Sequence, residues 1–327
     1  MKILVTGGAG YIGSHTVAEL LKKNYQVVVF DNLVYGHQKA IACPLIKGDL
    51  VNQREVKKIF QKEKIDAVIH FAAYALAGES MENPAKYFQN NILGGLNLLE
   101  AMRKNNVRRI VFSSTCAIYG YPEKLPVDEE APQKPVSVYG ESKLIFEKIL
   151  GWYDQIYGIK NVCLRYFNAC GASLNGKIGE DHHPETHIIP VAVQVVQGKR
   201  EFFQLNGNDY PTPDGTCIRD YIHVADLASA HLLALDYLIK KNKSNYFNLG
   251  TGRGYSNKEI LTMVKKTSGV DFKVMMGPRR AGDPAAIYAD NRKIKKVLGW
   301  QPKYSDLKTI AKTAWLWHKN HPDGFGK

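Results

Sequence analysis

The chain has no apolar stretch near the roughly 20 residues that a membrane helix requires, which argues against a membrane-spanning protein. It has no internal repeat and no low-complexity linker, so solenoid and disordered classes are disfavoured. Cysteine is scarce, with Cys43, Cys116, Cys163, Cys170 and Cys217 forming no C-x-x-C pair. An odd count without ligand spacing argues against a disulfide framework and a structural zinc, and fits a reducing cytoplasm. Met1 leads almost directly into an apolar run with no signal-peptide pattern, so a cytoplasmic location is expected. Acid is the minority charge, with 31 Asp and Glu against 44 Lys and Arg and a net charge of +13. The lysines are spread in pairs such as Lys57-Lys58, Lys265-Lys266 and Lys295-Lys296, with no long basic tract interleaved with aromatics. That disfavours a nucleic-acid interface and leaves a solvated surface that attracts anionic nucleotides. The 327 residues suffice for two lobes.

The N-terminus carries a dense signal. A short apolar run, Ile3-Leu4-Val5, leads into Gly7-Gly8-Ala9-Gly10-Tyr11-Ile12-Gly13 and then a helical pattern through Val17, Leu20 and Leu21. A second apolar run, Val27-Val28-Val29-Phe30, ends at Asp31. Strand, glycine turn, helix, strand and acid, in that order, predict a dinucleotide site. Gly7, Gly10 and Gly13 let backbone approach a pyrophosphate at a helix N-terminus. Asp31 suits the hydroxyls of an adenosine ribose and repels a 2′-phosphate, which favours NAD over NADP.

Tyr139 and Lys143 stand four residues apart at an expected helix start, hence on one helix face. Free tyrosine titrates near pKa ~10, so a useful base near neutrality needs roughly 4 kcal/mol from nearby positive charge. Lys143 and a bound nicotinamide cation are the expected sources.

Between these signals, strand-like and helical runs alternate. Ala67-Val68-Ile69-His70 follows a helical pattern at 54–63, Arg109-Ile110-Val111-Phe112 follows a long one at 84–104, and Val162-Cys163-Leu164-Arg165 follows the helix of Tyr139. Such alternation predicts a parallel sheet covered on both faces, with ligands beyond the carboxyl ends of its strands. Phe71 and Ser113-Ser114-Thr115 are expected just past two of those ends. After Asn168 the loops grow rich in Gly, Pro, Asp and His, helices are expected to be fewer and shorter, and Asn245 to Leu249 reads as a strand returning to the sheet. The fold class expected is α/β, a Rossmann doubly wound parallel sheet with a smaller, interleaved C-terminal α/β lobe. The expected division is 1–167, with a return strand near 245–250, and 168–327.

Together these residues resemble the extended short-chain dehydrogenase/reductase family, and within it the nucleotide-sugar 4-epimerases. The similarity runs nearly end to end. It includes the Val5 to His15 block, Asp31-Asn32, Val68-Ile69-His70-Phe71-Ala72, Gly78-Glu79-Ser80, Phe112-Ser113-Ser114-Thr115, Tyr139-Gly140 with Ser142-Lys143, and Leu164-Arg165-Tyr166-Phe167-Asn168. Gly207-Asn208-Asp209-Tyr210 and Arg219-Asp220-Tyr221-Ile222-His223-Val224 are the blocks most specific to hexose 4-epimerases. The resemblance implies reversible inversion of the C4 hydroxyl of a UDP-hexose through a 4-keto intermediate, with NAD tightly bound. It implies Tyr139 as the proton acceptor, Lys143 on the nicotinamide ribose and Thr115 on the sugar oxygen. It places Tyr11, Ile12, Asn32, Asp49, Leu50, Phe71, Ala72, Ala75, Asn90, Ser113 and Phe167 on NAD, Asp49 and Leu50 by the adenine. It places Asn168, Arg219, Arg280 and Asp283 on UDP, with His187, Ile188, Gln204, Asn206 and Ile287 on the substrate. Family members usually pair through two helices. Ile92, Leu93, Leu96, Leu99 and Met102 on one, and Leu144, Ile145, Ile149 and Leu150 on the other, lead us to expect a homodimer.

Some positions depart from the pattern. Ala75 stands where well-known bacterial relatives carry a lysine near the nicotinamide, so one cationic contact is lost. His187 stands where an asparagine often meets substrate; it could bond a hydroxyl or serve structurally. Ile287 aligns with a pocket wall that is tyrosine in enzymes restricted to glucose and galactose, which leaves UDP-GlcNAc open as a second substrate. His182 and His183 near Glu185 lack paired helical spacing, and no metal is expected. A dehydratase or decarboxylase of the same superfamily needs an acid just after Thr115, where Cys116-Ala117-Ile118 stands. An NADPH reductase needs a basic residue near Asp31, and Asn32-Leu33-Val34 supplies none. UDP-pentose or UDP-uronate 4-epimerisation is the nearer alternative. A non-catalytic NAD-binding protein on this scaffold would not need both Tyr139 and Lys143.

Overall fold

The computed structural model describes residues 1–280 and 282–326. Its centre is a seven-stranded parallel sheet built by the alternation read from the sequence. The first half runs β1 (Lys2–Thr6), α1 (Tyr11–Lys22), β2 (Gln26–Asp31), β3 (Leu45–Lys47), α2 (Gln53–Lys62), β4 (Ala67–His70), α3 (Ala77–Glu82), α4 (Pro84–Tyr87), α5 (Gly94–Lys104), β5 (Arg109–Thr115), α6 (Val138–Tyr157) and β6 (Lys160–Tyr166). The second half runs β7 (Asn168–Cys170), α7 (Ile188–Val196), β8 (Phe203–Asn206), β9 (Ile218–Arg219), β10 (Tyr221–His223), α8 (Val224–Lys241), β11 (Asn245–Leu249), β12 (Tyr255–Ser256), α9 (Asn257–Ser268), β13 (Val274–Gly277), β14 (Ala286–Ile287), α10 (Arg292–Leu298) and α11 (Leu307–Asn320).

The sheet order is β11-β6-β5-β4-β1-β2-β3. The chain therefore winds one way from β1 through β2 to β3 and the other way through β4, β5 and β6. The reversal lies between β1 and β4, and a doubly wound sheet opens its ligand crevice there. Period-two alternation gives each strand two apolar faces. Ile3, Val5, Val27 and Val29 join Val17 and Leu20 of α1 and Leu227, Ala234 and Leu238 of α8 in one core. Leu4, Val28, Phe30 and Val68 join Val56 and Ile59 of α2, Leu98 and Met102 of α5 and Phe146 of α6 in the other. A third core packs α7, α9 and α11 around Phe203, Leu205 and Tyr221.

Three expectations need correction. Ser113, Ser114 and Thr115 are the last residues of β5 rather than a loop beyond it, because the strand stays paired with β6 as far as Thr115 and Tyr166. The long helix expected at 84–104 contains a π-helical stretch at Phe88–Leu93. The second half is not poor in long helices, since α8 has 18 residues and packs on α1 and β5 beneath the sheet. Among the described residues no helix is long and apolar enough to cross a membrane, and all five cysteines are free.

Candidate active site

At the end of β1 the chain turns on Gly7 at φ +70°, where a Cβ would stand 2.4 Å from the Ala72 nitrogen. A Cβ on Gly13 would stand 2.3 Å from the Gly7 carbonyl oxygen. Both positions therefore exclude a side chain and press the N-terminus of α1 against the ends of β1 and β4. Gly10 caps α1 without a side chain of its own. The unpaired N–H groups and positive dipole end of α1 thus face open space, an arrangement that fits a pyrophosphate. At the end of β2, Asp31 is held by two backbone donors, Ala9 N to Oδ2 at 3.0 Å and Leu33 N to Oδ1 at 2.9 Å. Burial pushes its carboxyl above the usual range, and those two hydrogen bonds pull the other way. Asn32 Nδ2 donates to Asp49 Oδ2 at 3.1 Å, which places the Asp49 and Leu50 turn beside Asp31. A glycine cradle and an oriented acid at this spacing fit a dinucleotide.

Helix α6 sets the catalytic pair. Ser137 caps it by accepting from Gly140 N at 3.1 Å, and Tyr139 N donates to Ser80 Oγ at 3.1 Å. Asn91 Nδ2 donates to Ser142 Oγ at 3.0 Å, which anchors the same turn from the π-helical stretch. Farther along, Glu147 forks onto Arg165 of β6, Nη2 to Oε2 at 2.6 Å, with both side chains buried. Ser114 Oγ also donates to Glu147 Oε1. These bonds fix α6 against β5 and β6, and so fix where Tyr139 and Lys143 point.

The protein alone supplies only part of the electrostatics. Burial pushes the Tyr139 phenol above its ordinary value, Tyr166 adds to this, and a hydrogen bond with the Thr115 side chain opposes it. Burial also pulls Lys143 down to about 7, against the attraction of Glu147. Lys143 Nζ donates to the Ser113 carbonyl at 2.7 Å and lies 6.0 Å from the Tyr139 ring centre. Desolvation thus acts on both neighbouring groups against their charged forms, and Lys143 is only one of the two cationic sources expected, the other being the nicotinamide.

The pair opens onto a cleft of about 980 Å³. Every residue singled out from the sequence for cofactor or substrate lies along its wall. Gly7, Gly10, Tyr11, Ile12, Gly13, Asp31, Asn32, Asp49, Leu50, Phe71, Ala72, Ala75, Asn90 and Ser113 line the part over the sheet. Thr115, Tyr139, Lys143 and Phe167 line it as well, and Asn168, His187, Ile188, Gln204, Asn206, Arg219, Arg280, Asp283 and Ile287 come from the second half of the chain. At that end Asp283 is shared. Arg280 Nη2 donates to its Oδ1 at 2.9 Å and Nε to its Oδ2 at 3.0 Å, while Arg219 Nη2 stands 3.3 Å from Oδ1. Arg219 Nη1 is further held by the Pro284 carbonyl at 2.7 Å. Two guanidinium groups anchored on one carboxylate suit a diphosphate.

Glu180 and Glu185 also line the cleft and were not singled out as site residues. The visible signal was the density of His and Glu at 180–187; the sequence could not show that a loop folds them together. Tyr166, whose hydroxyl bonds Ser113 Oγ, stood only within the Leu164 to Asn168 block, where nothing in the sequence gave it a partner.

The cleft and sheet define a protein of the Rossmann dinucleotide-binding class. The profile of the NAD dependent epimerase/dehydratase family matches residues 3–250, and the chain belongs to that family. It is 53% identical to the UDP-glucose 4-epimerase of Lacticaseibacillus casei over 100% of this chain and 99% of the relative. Among solved structures, the UDP-glucose 4-epimerase of Brucella ovis in complex with NAD superimposes with a TM-score of 0.94 at 48% identity, covering 96% of this chain and 97% of that one. The Bifidobacterium longum enzyme in complex with NAD+ and UDP gives a TM-score of 0.95 at 38% identity, covering 99% and 100%.

Proposed function

We propose that the cleft holds NAD and a UDP-linked hexose, and that this chain interconverts UDP-glucose and UDP-galactose by inverting C4. The observation that carries the reading is the meeting of Thr115, Tyr139 and Lys143 on one wall of a cleft that runs from the glycine cradle and Asp31 to the paired arginines. Bound NAD would supply the acceptor for the C4 hydride and the donor that returns it to either face of the 4-keto sugar.

The chain's residues then have separable tasks. Tyr139 takes the proton of the sugar 4-hydroxyl and later gives it back. Thr115, whose side chain bonds Tyr139, relays or steadies that proton. Lys143 would hold the nicotinamide ribose of bound NAD. Because burial opposes a lone Tyr139 phenolate, cationic charge gathered at Lys143 and the cofactor is what makes the phenol a base. Arg219, Arg280, Asp283 and Asn168 grip UDP. Cys116, Ala117 and Ile287 offer the hexose few charged partners, so it can turn over between hydride transfers while its nucleotide stays fixed. Residues 1–167 with β11 serve the dinucleotide, and 168–327 serve the UDP-sugar.

Half-buried Leu96, Ile145 and Ile149, with exposed Leu93, Trp152 and Ile156, leave an apolar strip on α5 and α6 that supports a two-fold dimer. Free cysteines throughout support a cytoplasmic location. The side chain of Ile287 at the cleft wall supports UDP-GlcNAc as a second substrate. The test is Tyr139→Phe. It should lower UDP-galactose turnover by about 10²-fold or more while UDP still binds. Undiminished turnover contradicts the assignment.

A further inference from the structure

On the loop that joins β7 to α7, four metal-ligating side chains meet. Glu180, His182, Glu185 and His187 each offer one donor atom, and these atoms lie within 4.8 Å of one another. The Nδ1 atoms of His182 and His187 both face Glu180 Oε1, that of His182 at 3.3 Å and that of His187 in direct contact. Each also stands 3.8 Å from a Glu185 oxygen, His182 from Oε2 and His187 from Oε1. A tetrahedral zinc with arms of about 2.0–2.2 Å spaces its ligands about 3.3 Å apart. The four donors are thus close enough to converge on such an ion once His187 and Glu180 exchange their direct hydrogen bond for it.

Two further features separate this cluster from a solvated group of charges. Both carboxylates are buried, with side chains only 4% exposed, and among the described residues no Lys or Arg forms an ion pair with either. Buried carboxylates side by side need compensating charge. His182 and His187 are the ion-pair partners of both carboxylates, so two imidazoliums supply that charge when no metal is bound, and a bound dication with two neutral imidazoles would supply the same charge. The ligands are also oriented from outside. Glu185 Oε1 accepts from Thr186 N at 2.7 Å and His187 N at 2.8 Å, which leaves Oε2 turned toward His182. Trp317 Nε1 holds the Glu180 carbonyl at 3.3 Å, and the His182 ring lies edge-on to Tyr11. Supporting bonds of this kind are what fix metal ligands in place.

We propose that Glu180, His182, Glu185 and His187 form a zinc site that staples this loop and sets His187 at the cleft wall. Two imidazoles and two carboxylates suit zinc or a neighbouring late first-row dication. The role is structural and stands apart from the reaction proposed above. It departs from the expectation of no metal, which rested on the lack of paired helical spacing and on a reaction that needs none. A loop achieves the same meeting of ligands without a helix.

The test uses holoenzyme prepared without a histidine tag, treated with chelator, equilibrated with zinc chloride and freed of excess by gel filtration. Metal analysis should then find about one zinc per chain, and cobalt in its place should give the intense visible bands of tetrahedral coordination. Glu180→Gln and His182→Ala should each lower zinc affinity by about 100-fold. Less than about a tenth of a zinc per chain in the unaltered protein overturns the proposal whether or not the variants fold. So does full zinc in both variants once melting curves show them folded. UDP-galactose turnover on the same samples reports on the reaction separately, so either reading can fail alone.

Discussion

The chemistry of this chain concentrates in a few side chains whose surroundings matter more than their identities. Tyr139 and Lys143 were legible from a four-residue spacing, because helix geometry turns spacing into proximity. Their protonation was not legible. It depends on burial by residues far away in sequence, and burial raises the Tyr139 phenol while it lowers Lys143 to about 7. Asp31 was legible for the same local reason as the pair, being the acid that ends a strand. Ile287 belongs to this scale as well. It is buried among Ile118, Tyr119 and Phe167 and lines the cleft, so a larger ring there has room only by advancing on the sugar. Ile287→Tyr should lower kcat/KM for UDP-GlcNAc by about tenfold, corresponding to about 1.4 kcal/mol, and spare UDP-glucose. Equal loss on both sugars in a steady-state assay would show that Ile287 does not read the 2-position.

At the scale of elements, the site is a set of strand ends and helix starts locked by close approach. Gly13 is the clearest case, since its Cβ would collide with the Gly7 carbonyl. Gly13→Ala should release the dinucleotide, with at least about tenfold weaker NAD retention on gel filtration. Unchanged retention would mean that the turn can yield. The Glu147 and Arg165 pair ties α6 to β6. Glu147→Gln strands a buried guanidinium and should cost about 3–5 kcal/mol in urea denaturation; Arg165 Nη1 also donates to the Tyr119 hydroxyl at 3.0 Å and the Glu129 carbonyl at 3.3 Å, and a loss below about 1 kcal/mol would show that these two suffice. The exposed apolar strip of α5 and α6 predicts the mass of two chains by light scattering at micromolar concentration, and the mass of one chain would contradict the dimer. Hydrophobic periodicity revealed the helices. The π-helical stretch inside 84–104 escaped it, because one extra residue in a turn leaves composition unchanged.

The whole molecule is legible where order in sequence is order in space. Alternating strands and helices implied the parallel sheet, and Asn245 to Leu249 returned to it beside β6. The 180–187 cluster and the sharing of Asp283 by Arg219 and Arg280 were hidden, since both depend on how the loops of the second half fold among themselves. A property of the whole fold is its response to acid. Burial lowers His70 to about 3 and His15, His223 and His231 to about 4. Above about pH 6.5 these rings are neutral in both folded and unfolded chains and add no pH dependence. Below it the unfolded chain takes protons that the fold refuses, so stability falls as pH falls toward 4. Asp220, raised by burial to about 6, works in the opposite direction over part of that range. Comparison with His231→Gln isolates one ring. Between pH 6.5 and 5 the variant should lose about 2 kcal/mol less than the unaltered protein in urea denaturation. Equal losses would show that His231 charges inside the fold.

The central claim is that one hydrogen leaves C4 of the sugar and comes back to the opposite face within a closed cleft. Its most direct test is UDP-galactose carrying deuterium at C4, incubated with purified protein and no added cofactor, with the product examined by mass spectrometry and NMR. The account predicts UDP-glucose with the deuterium still on C4. Product with hydrogen from solvent at C4, or no product until cofactor is added to protein shown to contain it, would contradict the account.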